Sequence, residues 1–231
     1  MKSSDLLIII PAYNEEGSIE NVVNNIITNY PQYDYVIIND GSKDNTSIIC
    51  HQNNFNIVDL PVNLGLAGAF QTGLRYAYEN GYKKAVQFDA DGQHLAEYIQ
   101  VSEEKANEGF ELVISSRFVT EKRDSSLRML GNTLISAAIK LTTGKTINDP
   151  TSGMRLFTEA LIKEFALNVN YGPEPDTVSY LLNNGVEVAE VQVLMQERQA
   201  GESYLTLSRS IKYMIHMFVS ILIIQNFRKR G

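Results

Sequence analysis

The chain has 231 residues, of which 44% are hydrophobic, and this composition excludes an intrinsically disordered protein. Its net charge is −7 at pH 7, which argues against a general nucleic-acid-binding protein. Cys50 is the single cysteine, so no internal disulfide can form and a reducing compartment is indicated. The apolar stretch Leu6 to Ile10 is too short for the core of a signal peptide, so we expect no export signal.

Apolar runs alternate with helical patterns through the first half of the chain. The predicted strands are, in order, Leu6–Ile10, Tyr35–Asn39, Phe55–Leu60, Lys84–Phe88 and Leu112–Ser115. The predicted helices between them are Glu16–Tyr30, one from about Asp44, Ala67–Asn80 and Leu95–Asn107. This order predicts an α/β fold with a doubly wound, mainly parallel sheet. Ligands bind such sheets beyond the carboxyl ends of the strands.

The second half of the chain is less regular. Its predicted elements are a helix over Ser126–Leu141, a turn-rich loop from Asn148 to Gly153, a segment Met154–Phe157, a helix over Asp176–Asn183 and a strand over Val186–Val193. We therefore predict one main α/β domain over residues 1–205 and a separate C-terminal helix within residues 206–231.

The C-terminal segment Leu207–Phe227 has the pattern of an amphipathic helix. Its polar residues recur at spacings of three and four and form one stripe; they are Arg209, Lys212, His216 and Ser220. Its apolar part, Tyr213–Phe227, spans about 22 Å at ~1.5 Å per residue, which is shorter than the roughly 20 residues that cross a bilayer. Residues 203–231 include five basic and no acidic side chains. The pattern favours an interfacial or partner-packed helix at an anionic membrane surface; the alternative is an ordinary helix docked on the core.

Asp89 and Asp91 follow the predicted strand Lys84–Phe88 directly. Two carboxylates this close repel each other, and a cation relieves that repulsion. Oxygen ligands favour Mg²⁺ or Mn²⁺ over softer metals. The pair therefore predicts a divalent metal site at the sheet edge, whereas the motif taken alone is more often an ordinary turn.

Polar motifs at the other strand ends complete a set that resembles the family 2 glycosyltransferases. The resemblance is to their polyprenyl-phosphate branch, which includes the dolichol-phosphate mannose synthases and the bacterial undecaprenyl-phosphate glycosyltransferases. It covers roughly residues 5–205. The motifs that carry it are Pro11 to Glu16, Asp40 to Thr46, Asn63 to Gly65, Asp89 to His94, Ser116-Arg117 and Asp149 to Arg155.

The resemblance implies a GT-A fold, a nucleotide-sugar donor, a bound Mg²⁺ or Mn²⁺ and inversion at the anomeric carbon. It implies a nucleotide pocket lined by Pro11, Tyr13, Glu15, Asp40 and Asp89. It implies a metal site formed by Asp89, Asp91 and Gln93.

The resemblance also suggests which residues act on the reacting groups. Arg117 and Arg155 match positions near the donor or acceptor phosphates, and Asp149 matches a residue often assigned as the catalytic base. With a phosphate acceptor, which is already ionised, Asp149 positions the acceptor or an arginine instead. The further candidates are Glu174 as a sugar or acceptor contact, and Arg198 and Ser203 in a loop that closes over the donor.

The chain departs from the family pattern at two places, and one positive charge near the phosphates is missing as a result. Leu66 and Ala67 follow Gly65 where many relatives carry a lysine, and Tyr204 replaces a lysine of the closing loop.

The sequence therefore predicts an inverting enzyme that moves a sugar from a UDP-sugar to undecaprenyl phosphate, for cell-wall or surface polysaccharide modification. Glucose or N-acetylglucosamine is favoured from family frequency. The expected place is the cytoplasmic face of the cell membrane, where the C-terminal helix contacts the membrane surface, a second copy of the chain or a small membrane protein. No nucleic acid is expected. The alternatives are transfer to a sugar hydroxyl of a growing glycan, and a non-catalytic nucleotide-binding module.

Overall fold

The computed structural model describes residues 3–121, 127–168, 172–196 and 207–225. The strands are β1 Leu6–Ala12, β2 Asp34–Asn39, β3 Ile57–Asp59, β4 Lys84–Gln87, β5 Leu112–Ser116, β6 Arg155–Thr158 and β7 Val188–Gln192. The helices are α1 Ile19–Asn29, α2 Thr46–Gln52, α3 Gly65–Glu79, α4 Tyr98–Asn107, α5 Leu127–Thr143, α6 Glu159–Leu167, α7 Pro175–Asn183 and α8 Leu207–Val219. A π-helical turn, Ser220–Ile224, continues α8.

The strands form one seven-stranded sheet in the order β3-β2-β1-β4-β6-β5-β7. The pairs β1–β2, β1–β4, β2–β3 and β5–β7 are parallel, which confirms the predicted mainly parallel sheet. Strand β6 is antiparallel to both of its neighbours, β4 and β5. The sequence carries no sign of this reversal, because the residue pattern of a strand only four residues long does not indicate its direction.

Two apolar layers cover the sheet, one on each face. On β1, Leu7 and Ile9 belong to the layer that contains buried side chains of α3, α5, α6 and α7. Leu6, Ile8 and Ile10 belong to the layer that contains side chains of α1, α2 and α4. Successive side chains of a strand point to opposite faces. Burial on both faces therefore explains why β1 is a continuous apolar run rather than an alternating one.

Helix α6 was not predicted from the sequence. It begins at Glu159, directly after the last residue of β6, so no Gly, Pro or polar loop separates the two elements. Its buried residues Leu161, Ile162 and Phe165 follow helical spacing, but the run merges with the apolar pattern of the strand. A boundary of this kind depends on tertiary packing rather than on local punctuation.

The inner face of α8 packs on the same core as α5 and α7. Met217 and Ile221 are buried in the layer that includes Ile135 of α5 and Val178 of α7. Gly131 of α5 allows a close approach, because a Cβ there would lie 1.6 Å from the Sδ of Met214. The outer face remains open to solvent, with Ile215, Val219, Ile223 and Ile224 exposed.

Along the described part of the chain, no helix is long and apolar enough to cross a membrane. The predicted boundary between residues 205 and 206 lies outside the described residues.

Candidate active site

The polar motifs converge at one edge of the sheet. The carboxyl ends of β1, β2, β4 and β5 lie at this edge because these strands run in the same direction. Since β6 runs the opposite way, its first residue, Arg155, lies there instead of its last. The reversal of β6 therefore places the loop of residues 148–154 beside the ends of the parallel strands.

The loops that follow β2 and β3 interlock at one side of this edge. The Asp40 carboxylate, which is buried, accepts the Leu64 N–H at 2.6 Å. Gly41 has a φ of +65°, and a Cβ there would lie 2.8 Å from the Asn63 nitrogen. Only glycine adopts this conformation and leaves this space without strain. Burial raises the pKa of Asp40, and the amide hydrogen bonds from Leu64 and Gly65 act in the opposite direction.

The predicted nucleotide residues of β1 and its following loop lie next to these loops. Pro11 is a half-buried member of β1 and Tyr13, just beyond it, is exposed. The Glu15 N–H donates to the Thr46 Oγ1 at 2.8 Å, and the Glu15 carboxylate accepts the Ser18 hydroxyl at 2.9 Å. The contacts of Glu15 therefore fix the loop at the start of α1.

Asp89 and Asp91 lie just beyond the end of β4. The Asp89 carboxylate accepts Nε2 of Gln87 at 3.3 Å, and its N–H donates to Nδ1 of His94 at 3.3 Å. The Asp91 carboxylate accepts the Gln93 N–H at 3.0 Å. Gly92 between them has a φ of +76°, the sharp turn that the sequence indicates.

The loop of residues 148–154 packs directly on Asp89. A Cβ at Gly153 would lie 2.4 Å from Oδ2 of Asp89, so only a residue without a side chain allows this approach. The Asp89 carboxylate therefore lies between Gln87 of β4 and the backbone of the loop of residues 148–154.

The chemistry of these side chains fits a hard divalent cation, because carboxylate and amide oxygens are the ligands that Mg²⁺ and Mn²⁺ prefer. Among the described residues, no group of three or more His, Cys, Asp or Glu side chains is arranged to hold a metal by itself. A cation at Asp89 and Asp91 would therefore take its other ligands from Gln93, water or the oxygens of a diphosphate.

Asp149 and Arg117 form an ion pair on the other side of the edge, in which Asp149 is buried and Arg117 is half-buried. The guanidinium donates from Nε to Oδ2 at 2.7 Å and from Nη2 to Oδ1 at 2.9 Å. Asp149 is 0% exposed, and burial acts to raise the pKa of its carboxyl. The hydrogen bonds and the charge of Arg117 outweigh burial, so the pKa of Asp149 is lowered. The carboxyl is thus ionised at neutral pH and is a weak proton acceptor.

Two residues that sequence reasoning missed hold this ion pair in place. Asn132 of α5 donates from Nδ2 to Oδ1 of Asp149 at 2.9 Å. Glu190 of β7 accepts the backbone N–H groups of Asn148 and Asp149 at 2.7 and 2.8 Å. In the sequence, the signals for these two residues are a polar residue within the apolar pattern of α5 and an acidic residue inside the predicted strand Val186–Val193.

Arg155 occupies a different environment from the one expected for a phosphate ligand. It is 1% exposed, and its guanidinium donates to the backbone carbonyls of Ser152, Pro150 and Glu174 at 3.0, 2.6 and 3.3 Å. Burial lowers the pKa of Arg155, and nearby Tyr213 and Glu174 act in the opposite direction. In this arrangement Arg155 braces the backbone of the loop next to Asp149.

The remaining candidates are only partly within the described residues. Glu174 precedes α7, and its carboxylate accepts the Tyr213 hydroxyl of α8. Arg198 and Ser203 lie outside the described residues. Just before them, the described chain reaches the loop after β4, where the Gln196 N–H donates to the Gln93 carbonyl at 3.0 Å.

This combination of fold and polar edge defines a glycosyltransferase. Residues 7–166 match the sequence profile of glycosyl transferase family 2, and the chain belongs to this family. It is 37% identical to the UDP-N-acetylglucosamine–dolichyl-phosphate N-acetylglucosaminyltransferase of Methanococcus voltae, over 68% of this chain and 71% of that protein. It is 26% identical to the polyprenol monophosphomannose synthase of Mycolicibacterium smegmatis, over 85% of this chain and 79% of that protein. The predicted resemblance to the polyprenyl-phosphate branch is confirmed.

A solved structure supports the same fold. Glucosyl-3-phosphoglycerate synthase from Mycobacterium tuberculosis, in complex with Mn²⁺, uridine diphosphate and phosphoglyceric acid, is similar to this chain with a TM-score of 0.71. The similarity covers 98% of this chain and 80% of that one, at 19% identity. At this identity the likeness shows the fold alone, and the predicted GT-A architecture is confirmed.

Proposed function

We propose that this glycosyltransferase moves a sugar from a UDP-sugar to a polyprenyl phosphate, with undecaprenyl phosphate as the acceptor. The observation that carries the choice of acceptor is the state of Asp149. A sugar hydroxyl must lose a proton when it attacks and therefore requires a base, but Arg117 lowers the pKa of Asp149 and occupies both of its oxygens. A phosphate monoester has its second pKa near ~6 and is already largely dianionic at neutral pH.

In the proposed reaction, an acceptor phosphate oxygen attacks the anomeric carbon from the face opposite the diphosphate. The new bond between that oxygen and the carbon forms as the bond to the UDP oxygen breaks, so UDP leaves with the electron pair and no proton is transferred. The configuration at the anomeric carbon is inverted.

The proposed reaction uses residues on two sides of the sheet edge, one side for the donor and the metal and the other for the acceptor phosphate. Asp40 and Tyr13 line the place for the nucleotide, and Asp89, Asp91 and Gln93 would hold Mg²⁺ or Mn²⁺. A bound divalent cation supplies positive charge beside the departing diphosphate. Arg117 supplies positive charge for the acceptor phosphate, and Asp149 keeps its guanidinium in place.

Glucose and N-acetylglucosamine are the favoured sugars, and the second is the sugar in the name of the Methanococcus voltae relative. The proposed purpose is cell-wall or surface polysaccharide modification at the cytoplasmic face of the membrane. The exposed apolar residues of α8 support contact with a membrane surface, a second copy or a small membrane protein.

The direct test is release of UDP by the purified protein with Mn²⁺ or Mg²⁺, undecaprenyl phosphate and each common UDP-sugar in turn. Turnover that requires both metal and lipid phosphate is expected. Turnover with a soluble glycan in place of the lipid would support the sugar-hydroxyl alternative. UDP binding without turnover on either acceptor would support the non-catalytic module.

A further inference from the structure

A relay of hydrogen bonds connects the C-terminal helix to the loop that carries Asp149. The relay consists of Tyr213, Glu174, Arg155 and the backbone carbonyls of Pro150 and Ser152. Tyr213 of α8 donates its hydroxyl proton to the Glu174 carboxylate. The backbone carbonyl of Glu174 accepts Nη1 of Arg155 at 3.3 Å. Arg155 then donates from Nη2 to the Pro150 carbonyl and from Nε to the Ser152 carbonyl, at 2.6 and 3.0 Å. The path therefore ends on the residues that directly follow Asp149.

Because Arg155 is buried, the loss of one hydrogen bond on this path has an energetic cost that water does not compensate. Arg155 is 1% exposed, and the backbone carbonyls are the partners that replace water around its charge. A buried charged donor that loses a partner retains its desolvation cost, so displacement of the Glu174 carbonyl would disturb the bonds to Pro150 and Ser152. Burial and the Glu174 carboxylate raise the pKa of Tyr213, so its hydroxyl remains protonated and able to donate at neutral pH.

A second pair of contacts joins the helix to the same segment. The Asp176 carboxylate, in the first turn of α7, accepts the Ser220 hydroxyl at 2.7 Å and Nε2 of Gln225 at 3.1 Å. Ser220 and Gln225 are both buried. The segment that contains Glu174 and Asp176 is therefore held at two points by α8 and the turn that follows it.

We propose that Tyr213 is a positioning residue of the active site, which holds Glu174 against Arg155 and thereby fixes the loop that carries Asp149. The C-terminal helix is then a structural part of the site rather than a detachable anchor. The catalytic consequence rests on the proposed function, whereas the effect on the loop does not.

The test compares Tyr213→Phe with Tyr82→Phe by hydrogen–deuterium exchange and mass spectrometry. Each variant loses one tyrosine hydroxyl bonded to a carboxylate and retains its ring. Tyr82 donates to Asp34 at 3.1 Å, and Asp34 begins β2 at the opposite edge of the sheet. We expect amide exchange in residues 148–155 to rise about tenfold in Tyr213→Phe, as for the loss of one hydrogen bond to a charged group. Tyr82→Phe should leave it within about twofold of the wild type, because that bond is outside the relay.

Two outcomes would overturn the proposal. Unchanged exchange in residues 148–155 of Tyr213→Phe would show that the tyrosine holds at most its own helix. An equal rise in Tyr82→Phe would show a general loss of stability. As a further check, Glu174→Gln keeps an oxygen that can accept the Tyr213 hydroxyl and should exchange like the wild type, whereas Glu174→Ala should behave like Tyr213→Phe.

Activity provides a second measurement. In Tyr213→Phe, kcat for UDP release with undecaprenyl phosphate should fall about tenfold, while the Kd for UDP without metal stays within about twofold, because Asp40 and the loops after β1 and β2 lie outside the relay. An unchanged kcat would contradict the catalytic part. If the wild type itself transfers no sugar, the proposed function fails, and the exchange measurement still decides whether the relay exists.

Discussion

At the scale of single residues, the site depends on charges that are buried together. Asp149 has an arginine on one side, an asparagine on another and a backbone fixed by Glu190. A buried ion pair of this kind contributes little net stability when intact, but the loss of one member leaves the other without compensation. In the proposed reaction, its value to the enzyme lies in fixing Arg117 beside the acceptor phosphate.

Replacement of Asp149 by asparagine should destabilise the protein in a pH-dependent manner. At pH 7 we expect the free energy of unfolding to fall by about 2 kcal/mol, since a hydrogen bond to a charged group contributes about 1.5–3 kcal/mol. The folded-state pKa of Asp149 is lowered, so its contribution is present above the unfolded pKa of ~3.9 and is lost as the pH falls through the folded value.

Urea unfolding of wild type and Asp149→Asn between pH 7 and pH 3 measures this effect. The difference between the two proteins should be constant down to about pH 5 and shrink below about pH 4. A difference that grew on acidification would show that the carboxyl pKa is raised in the folded protein. It would also restore Asp149 as a candidate base.

Gly153→Ala should weaken metal binding with little effect on the fold. The added methyl group would lie 2.4 Å from Oδ2 of Asp89, so the carboxylate must move. We expect the affinity for Mn²⁺ in the presence of UDP to fall about tenfold, as when the support of a metal ligand is altered. The measurement is isothermal titration calorimetry.

Gly81→Ala is the matched control for that experiment. It introduces the same methyl group at a left-handed position with nothing within 4 Å. It should lower stability by about 1 kcal/mol through backbone strain and leave the affinity for Mn²⁺ unchanged. Equal losses of affinity in the two variants would mean that Asp89 is not displaced by the Gly153 change.

At the scale of elements, the direction of β6 and the docking of α8 shape the site. Because β6 is antiparallel, the loop before it lies at the same edge as the loops that follow the parallel strands. Helix α8 and the π-helical turn after it contribute side chains to the core as well as hydrogen bonds to the start of α7. Removal of residues 207–231 would therefore expose part of the core. Single substitutions on the buried and the exposed face of this segment measure the contribution of each face to stability without that loss.

Ile221→Ala should destabilise the protein by about 2–4 kcal/mol, because Ile221 is 0% exposed and its removal leaves a cavity. Ile223→Ala removes the same atoms from a residue that is 57% exposed, and we expect a change within about 0.5 kcal/mol. Urea unfolding monitored by circular dichroism compares the two. Equal and small effects would contradict the docking of this segment on the core.

At the scale of the whole molecule, the described residues of α5 and of the C-terminal segment form an exposed apolar surface. Exposed apolar side chains lie on α5, on the neighbouring α8 and on the π-helical turn that continues α8; they are Leu130, Leu134, Ile215, Val219 and Ile223. The segment of the chain that includes α8 is also the basic one, with no acidic residue after Glu202. An apolar face flanked by basic groups is typical of contact with an anionic membrane.

Substitution of Ile215, Val219 and Ile223 by serine should weaken binding to phosphatidylglycerol vesicles at least tenfold, since even partial insertion of each side chain contributes about 1 kcal/mol. The control carries serine at Ile27, Ile48 and Val101, which are also exposed but lie on α1, α2 and α4. Vesicle co-sedimentation measures both variants.

An equal effect in the two variants, or none in either, would exclude this surface as the membrane contact. A change from dimer to monomer in the first variant, seen by analytical ultracentrifugation without lipid, would indicate that the surface pairs with a second copy instead.

The sequence alone determined the class of fold and most of the residues at the sheet edge. Continuous apolar runs identified β1, β2 and β4, because strands buried on both faces need no polar alternation. The acidic and glycine-containing motifs after them located Asp40, Asp89 and Asp91, since the strand ends and their turns are local features.

Only the tertiary structure decided the direction of β6, the hydrogen-bond partners of Arg155 and the docking of α8. Each depends on contacts between segments that are distant in the chain. The arginine beside Asp149 in the sequence motif braces backbone carbonyls, while the more distant Arg117 forms the ion pair. A local pattern records which residues are apolar or charged, but burial sets pKa values and hydrogen-bond partners, and burial is a property of the packed chain.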